Sequence, residues 1–238
     1  MELTDNLVSY YSLSGNALDS TSTNDGTNNS VTIDSSNGKI GDGGGFNGSS
    51  SYINVANNIL GNTRTNFTIS MWVRPTSATV DMTFVSDRNT SNYFYKYKVG
   101  RVRSTAGSGP NKVQFVMFNG SDVNLFSTSN LSIDTYTFLV VTHEISGSSS
   151  NLKIYMNGSL DSSSTVSNVW SGVTRPTAIG RWTGPSSDSY TAGSIDEVGF
   201  WDRALSADEV SELYNGGNGL SYPFIPYNPA VARRRLML

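Results

Sequence analysis

The residues best suited to chemistry in this chain are its carboxylates, a single histidine and several aromatics set in polar surroundings. Ser194 to Trp201 reads as a strand. Strict alternation groups Asp196 with Val198 and Phe200, and Glu197 with Ile195, Gly199 and Trp201. Either way one carboxylate falls among apolar side chains, where it must be paired or bind a metal. Glycoside hydrolysis needs two carboxyl groups facing each other across a cleft. Adjacent residues on opposite faces of a strand do not supply that. Hard oxygen donors suit Ca²⁺, and the loop Asp19-Ser20-Thr21-Ser22-Thr23-Asn24-Asp25-Gly26 offers several. The competing reading is that Asp196 pairs with an arginine and Asp19 shapes an Asx-turn.

Other chemistries find less support. His143 sits in the strand-like run Thr142-His143-Glu144, where packing explains a histidine better than a catalytic triad does. With no cysteine there is no thiolate metal site, cysteine nucleophile or disulfide framework. Gly43-Gly44-Gly45 is followed by neither a helix signal nor a Lys-Ser/Thr pair, which argues against a phosphate loop. Aromatic rings stack on sugars, and Tyr95, Trp170, Trp182 and Tyr190 form the candidate glycan-binding set. Core packing or cross-strand pairing is the alternative for such rings.

The elements that must position these groups are strands. Only 37% of residues are hydrophobic and 15% charged, while Ser, Thr, Asn and 23 Gly favour short strands joined by polar loops. The length of 238 residues suits one sizeable core. A net charge of -3 argues against an electrostatic nucleic-acid binder, and no apolar stretch approaches a membrane span. The N-terminus carries no signal-peptide pattern, so with Met1 as the start ordinary secretion is not expected, and the Asn-x-Ser/Thr triplets read as a by-product of composition.

Leu7 to Leu13 reads as a first strand, followed by a long loop from Ser14 to Gly45 with a short strand near Val31 and Ile33. Phe67 to Arg74 alternates most clearly, with Phe67, Ile69, Met71 and Val73 on one face. Further strands are read at Met82 to Ser86, Tyr93 to Val99, Lys112 to Phe118, Phe138 to Ile145, and Asn151 to Met156. Asn157-Gly158 signals a hairpin turn. Ser206-Ala207-Asp208-Glu209 is a capping box that opens one short helix, with Val210, Leu213 and Tyr214 as its apolar stripe and Gly216-Gly217 at its end.

Read in order, five segments resemble the laminin-G-like domains of the concanavalin A-like lectin and glucanase superfamily. They are Tyr11 to Ser20, Gly44 to Ile53, Phe67 to Val73, Leu152 to Gly158, and Gly193 to Ser206. The chain departs from that pattern at Tyr136-Thr137, where a Trp-His pair is common, and at Met156. The resemblance implies an all-β, concanavalin A-like jelly-roll sandwich of two antiparallel sheets over residues 1–220, with one short C-terminal helix. It also implies a structural Ca²⁺, assigned here to Asp19, Asp25 and Asp196 with Asn24 as a further ligand. Related glucanases carry a Glu-x-Asp-x-x-Glu run along one strand, which this sequence lacks.

Residues 221–238 read as an extended Pro-rich, apolar-basic arm. Tyr222, Phe224, Tyr227, Arg233, Arg234, Arg235, Leu236 and Leu238 are its candidate assembly contacts. The chain is therefore expected to bind or build rather than catalyse. The main reading is a structural subunit of a larger assembly on a virion surface, a capsid decoration or tail fibre, docking on protein partners through the arm and adhering to glycans. Self-association into a homo-oligomer is compatible with it. The alternative is a secreted or cell-surface carbohydrate-binding module.

Overall fold

The computed structural model describes residues 1–55, 58–61, 66–87, 96–102, 111–118, 121–167, 176–183 and 188–225. In chain order the strands are β1 (Leu7–Tyr11), β2 (Thr27–Asn29), β3 (Thr32–Asp34), β4 (Gly43–Asn47), β5 (Tyr52–Val55) and β6 (Phe67–Pro75). Then follow β7 (Met82–Asp87), β8 (Tyr97–Val102), β9 (Lys112–Phe118), β10 (Asp122–Asn130), β11 (Thr137–Ser146) and β12 (Ser149–Met156). The last are β13 (Ser159–Ser167), β14 (Thr177–Ile179), β15 (Arg181–Thr183), β16 (Asp188–Tyr190) and β17 (Ala192–Trp201), before the helix α1 (Ala207–Tyr214).

Two antiparallel sheets face each other. The larger runs β13-β12-β11-β6-β17-β4-β3, with β1 pairing the C-terminal half of β17; the smaller runs β10-β9-β8-β7-β14-β5-β2. Alternation places Phe67, Ile69, Met71 and Val73 of β6 between the sheets, as the sequence pattern predicts. Phe84, Val99, Phe115 and Ile53 meet them from the smaller sheet, closing a core whose large side chains each stabilise the fold by about 1.5–3 kcal/mol. The Asn157-Gly158 turn joins β12 to β13 with both residues at positive φ, 50° and 79°, the geometry that matches the twist of a tight hairpin.

The larger sheet is also covered on its outer face. The α1 cap forms as its sequence predicts: Glu209 N donates to Ser206 Oγ at 3.3 Å and Ser206 N donates to Glu209 Oε2 at 2.8 Å. Arg203 locks the same carboxylate at 2.8 Å. Val210 and Leu213 pack with Trp72, Phe138, Tyr155 and Trp201 in a second apolar cluster. No helix among the described residues is long and apolar enough to cross a membrane.

Candidate functional site

Among the described residues, the outer face of the smaller sheet carries the two-stranded ribbon β15–β16, whose tip lies outside the described residues. Its attachment uses an irregularity in β7 between Thr83 and Val85, which brings Thr83 and Ser86, three residues apart, to the same ribbon. Ser86 Oγ donates to the Arg181 carbonyl at 2.8 Å, Thr83 Oγ1 donates to Ser189 Oγ at 3.2 Å, and Thr191 Oγ1 donates to the Thr83 carbonyl at 2.6 Å. The turn into the ribbon requires glycine: Gly180 has φ +87°, and a Cβ there would stand 2.3 Å from the Phe46 ring.

Between ribbon and sheet runs a groove of about 510 Å³ lined by Lys98, Arg101, Gln114, Trp182, Asp188 and Tyr190, among others. The Lys98 ammonium lies 5.0 Å from the Trp182 ring centroid, a cation–π contact. Among the described residues no hydrogen bond joins it to protein. Burial pushes the Lys98 pKa down, against the opposite pull of Asp122 and Asp81. Gln114 projects from β9 opposite Gly100 of β8, so no side chain stands beside it on that strand. It is 9% exposed; its Nε2 donates to Asn124 Oδ1 at 2.8 Å, and its buried Oε1 has no hydrogen-bond partner.

One wall of the groove is built around an ion pair. Arg181 lies over the rings of Tyr52 and Tyr190 at 4.6 and 5.5 Å and binds Asp188 at 2.9 Å, and Tyr190 donates its hydroxyl to the same carboxylate at 3.0 Å. Burial, reinforced by that bond, raises the Tyr190 pKa. The groove thus offers aromatic surface and a cationic donor in one concavity, a combination suited to a polyhydroxylated ring.

Of the aromatic set read from the sequence, Trp182 and Tyr190 share this groove, whereas Tyr95 and Trp170 lie outside the described residues. Lys98 and Gln114 were not singled out by sequence reasoning. Their outward phase on β8 and β9 is legible from alternation, but which sheet face stays open is not.

The carboxylates behave differently from the alternation rule. A bulge between Asp196 and Gly199, with Glu197 at φ +53°, adds a residue to β17. Val198 and Phe200 consequently enter the inter-sheet core. Asp196 stands opposite Trp72 on the outer face, and Glu197 meets Tyr10 of the outer cluster. Both carboxylates are buried. Asp196 accepts from the amides of Lys39 (2.8 Å), Ile40 (3.0 Å) and Glu197 (2.8 Å), and no arginine pairs it among the described residues. Glu197 accepts from the Tyr10 hydroxyl and bonds Ser221, while its Oε1 has no partner. Burial raises Asp196 to about 7 and, with Asp196 adding to it, Glu197 to about 8.

The four residues expected to hold calcium do not all lie together. Asp19, Asn24 and Asp25 do share a loop, but Asp196 is held by a different one. Among the described residues no group of three or more acidic or histidine side chains is placed to hold a metal. Within the loop, Asp19 Oδ1 accepts from Tyr10 N, Thr21 N and Thr21 Oγ1, each at 2.9 Å, and its Oδ2 accepts from Asn24 N at 3.0 Å. Asp25 Oδ1 accepts from Asp19 N at 3.1 Å, and Asn24 Nδ2 donates to Ser9 Oγ at 2.8 Å. Asp19 organises the turn through these bonds.

Two residues of the expected arm lie against the sandwich. Tyr222 and Phe224 pack on the sandwich: the Phe224 ring lies 5.1 Å from Tyr10 and 6.0 Å from Trp201, and Tyr222 lies 6.0 Å from Tyr10. Tyr227, Arg233, Arg234, Arg235, Leu236 and Leu238 lie outside the described residues. His143 is buried in β11, with Nε2 3.0 Å from Ser150 Oγ and its ring 5.2 Å from Phe67, a packing role.

Against known proteins, a laminin-G-type profile described as the concanavalin A-like lectin/glucanases superfamily matches residues 47–211. No curated protein matches the sequence. Among solved structures, domain 4 of AbnA, an extracellular arabinanase from Geobacillus stearothermophilus, in complex with arabinotriose, superposes with a TM-score of 0.67 at 19% identity. That match covers 87% of this chain and 97% of the arabinanase domain. The receptor binding domain of botulinum neurotoxin type G superposes at 0.59 and 20% identity over 88% of this chain. A botulinum neurotoxin type C structure, whose description makes cell entry dependent upon two ganglioside molecules, superposes at 0.59 and 16% over 89%. The chain spans 51% of each neurotoxin chain. At these identities the likeness is one of fold.

Proposed function

Because the chain belongs to the concanavalin A-like lectin/glucanases superfamily, we propose that it is a non-catalytic carbohydrate-binding module working outside the cell or at its surface, with the β15–β16 groove as its sugar site. The observation that carries this reading is the meeting of Trp182 and Tyr190 with Lys98 and Gln114 along one concavity. The arabinanase domain with its arabinotriose and the ganglioside-dependent neurotoxin support a binding role for this fold. Asp196 and Glu197 support it from the other side, since they lie covered on the opposite sheet rather than across a cleft. Fold alone does not fix function, so the groove must answer for itself.

The virion-surface reading draws no support from these comparisons. The arm residues on which it leaned either pack on the sandwich, as Tyr222 and Phe224 do, or fall outside the described residues.

A glycan array probed with the full chain tests the proposal, followed by titration calorimetry on the strongest binder. Trp182→Ala is expected to weaken binding at least about tenfold, and Tyr190→Ala less, because Tyr190 is also held by Asp188. Absence of any binder, or binding indifferent to both substitutions, would refute the assignment.

A further inference from the structure

Lys98 is the side-chain amine of this chain best placed to act as a nucleophile. The lysines are Lys39, Lys96, Lys98, Lys112 and Lys153. Lys96 Nζ donates to the Leu60 and Gly61 carbonyls and Lys112 Nζ to the Thr128 carbonyl, bonds that favour the charged ammonium. Lys153 lines a concavity with the carboxylates Glu144, Asp208 and Glu212. Lys39 lies over Trp72 at 4.6 Å, so it shares the ring contact of Lys98 without the groove.

Lys98 Nζ has neither a carbonyl nor a carboxylate bonded to it among the described residues; its contact is the Trp182 ring. Unlike Gln114 Oε1, Nζ is not enclosed, and it opens on the groove. The charged neighbours do little to hold its proton. Asp188 is bound to Arg181 and Tyr190, and Arg101 donates to the Ala78 and Val80 carbonyls. Asp122 and Asp81 attract the ammonium, but Lys98 forms no ion pair with either, and burial outweighs both. A desolvated amine without acceptors carries more of its lone pair free at neutral pH, which is how a lysine becomes a nucleophile.

The electrophile that suits such an amine is an aldehyde. We propose that Lys98 is a covalent modification site, condensing with aldehydes, including the open-chain aldehyde of a reducing sugar, to an imine beside Trp182. The nitrogen lone pair attacks the carbonyl carbon to give a carbinolamine. Both amine hydrogens then leave with the carbonyl oxygen as water, so no oxidant or reductant is consumed. The groove, at about 510 Å³, has room for the carbon chain that follows. This reactivity does not require that the groove also bind saccharides reversibly.

The full chain is treated at pH 7 with formaldehyde and cyanoborohydride, which reduces each imine to a stable amine, and label at every lysine is counted by peptide mass spectrometry. At low occupancy Lys98 should be labelled at least about threefold faster than Lys39 or Lys153. That lead should shrink as pH rises to 10, where open lysines also lose their protons. Asp122→Asn, at an exposed position, should speed Lys98 about twofold and spare the other lysines. A second arm replaces formaldehyde with ribose and should give the same order. Lys98 labelled no faster than Lys39 and Lys153, or a lead indifferent to pH, would overturn the proposal. Formaldehyde at Lys98 with ribose elsewhere overturns the sugar half and leaves a site for small aldehydes. The unmodified chain decides each of these outcomes, and the glycan array answers separately for reversible saccharide binding.

Discussion

The larger sheet hides its outer face under α1 and the segment 220–224, while among the described residues the smaller sheet meets the short ribbon β15–β16 on its own. Tryptophan shows the consequence. Trp201 and Trp72 on the covered face are almost fully buried, with Trp201 Nε1 donating to the Leu3 carbonyl at 2.7 Å and Trp72 stacked on Tyr214 at 5.8 Å. Trp182 on the open face remains partly exposed beside a cation and an unmet amide. Where the cover is complete, aromatic area goes to stability; where it is partial, the same chemistry is left available to a ligand.

The largest effect should come from truncating the covered face. Trp201→Ala is expected to lower unfolding free energy by about 3–5 kcal/mol in denaturant titration, because it empties a fully enclosed site. Phe224→Ala should follow at about 2–4 kcal/mol, since its ring closes that site from the C-terminal side. Trp182→Ala should cost less than about 1 kcal/mol while removing sugar binding. Equal losses at Trp201 and Trp182 would break the contrast between the two faces.

A smaller effect sharpens it. The covered face encloses Asp196 and Glu197, whose pKa values burial raises to about 7 and about 8. The folded state therefore keeps protons that the unfolded chain releases near pH 4. Stability from these groups is greatest in acid, declines as pH climbs through the unfolded values toward 7–8, and is level above. Asp34, Asp161 and Glu209, whose hydrogen-bonded carboxylates are shifted downward, titrate below this window and do not mask it. Glu197→Gln keeps an acceptor for Tyr10 and removes the charge. It is expected to flatten the fall in melting midpoint between pH 5 and 8 and to leave the variant more stable than the native chain at pH 8, on the order of 2 kcal/mol. An unchanged pH profile would mean that Glu197 is charged without penalty in the folded protein.

How much of this could be read beforehand depends on what alternation encodes. The phase of β6, the β12–β13 turn and the α1 cap are local, and each forms as its residues predict. β10 and most of β13 went unread because Asp122 to Asn130 and Ser159 to Ser167 are too polar to show a face. The bulge at Glu197 defeated the reading of β17, since one extra residue reverses which side chains meet the core. Trp182 and Tyr190 were legible as aromatics in polar company. Lys98 and Gln114 were not, because their roles depend on which sheet face the chain leaves uncovered, a property of the assembled layers.

The smallest effect concerns the Asp19 loop, a polar cluster whose groups are met from within. A carboxylate has about four acceptor positions, and Asp19 already receives four donors, three of them backbone amides. Ca²⁺ takes 6–8 oxygens, so entry through Asp19 would displace these donors. Chelation with EGTA should accordingly move the melting midpoint by less than about 1 °C. Asp19→Ala, by contrast, should destabilise by about 1–3 kcal/mol, because it orphans the buried Tyr10 and Asn24 amides. If chelation lowers the midpoint by several degrees and elemental analysis finds one calcium per chain, the loop holds an ion after all. Asp19→Ala should then abolish the EGTA response, which a purely hydrogen-bonded turn cannot show.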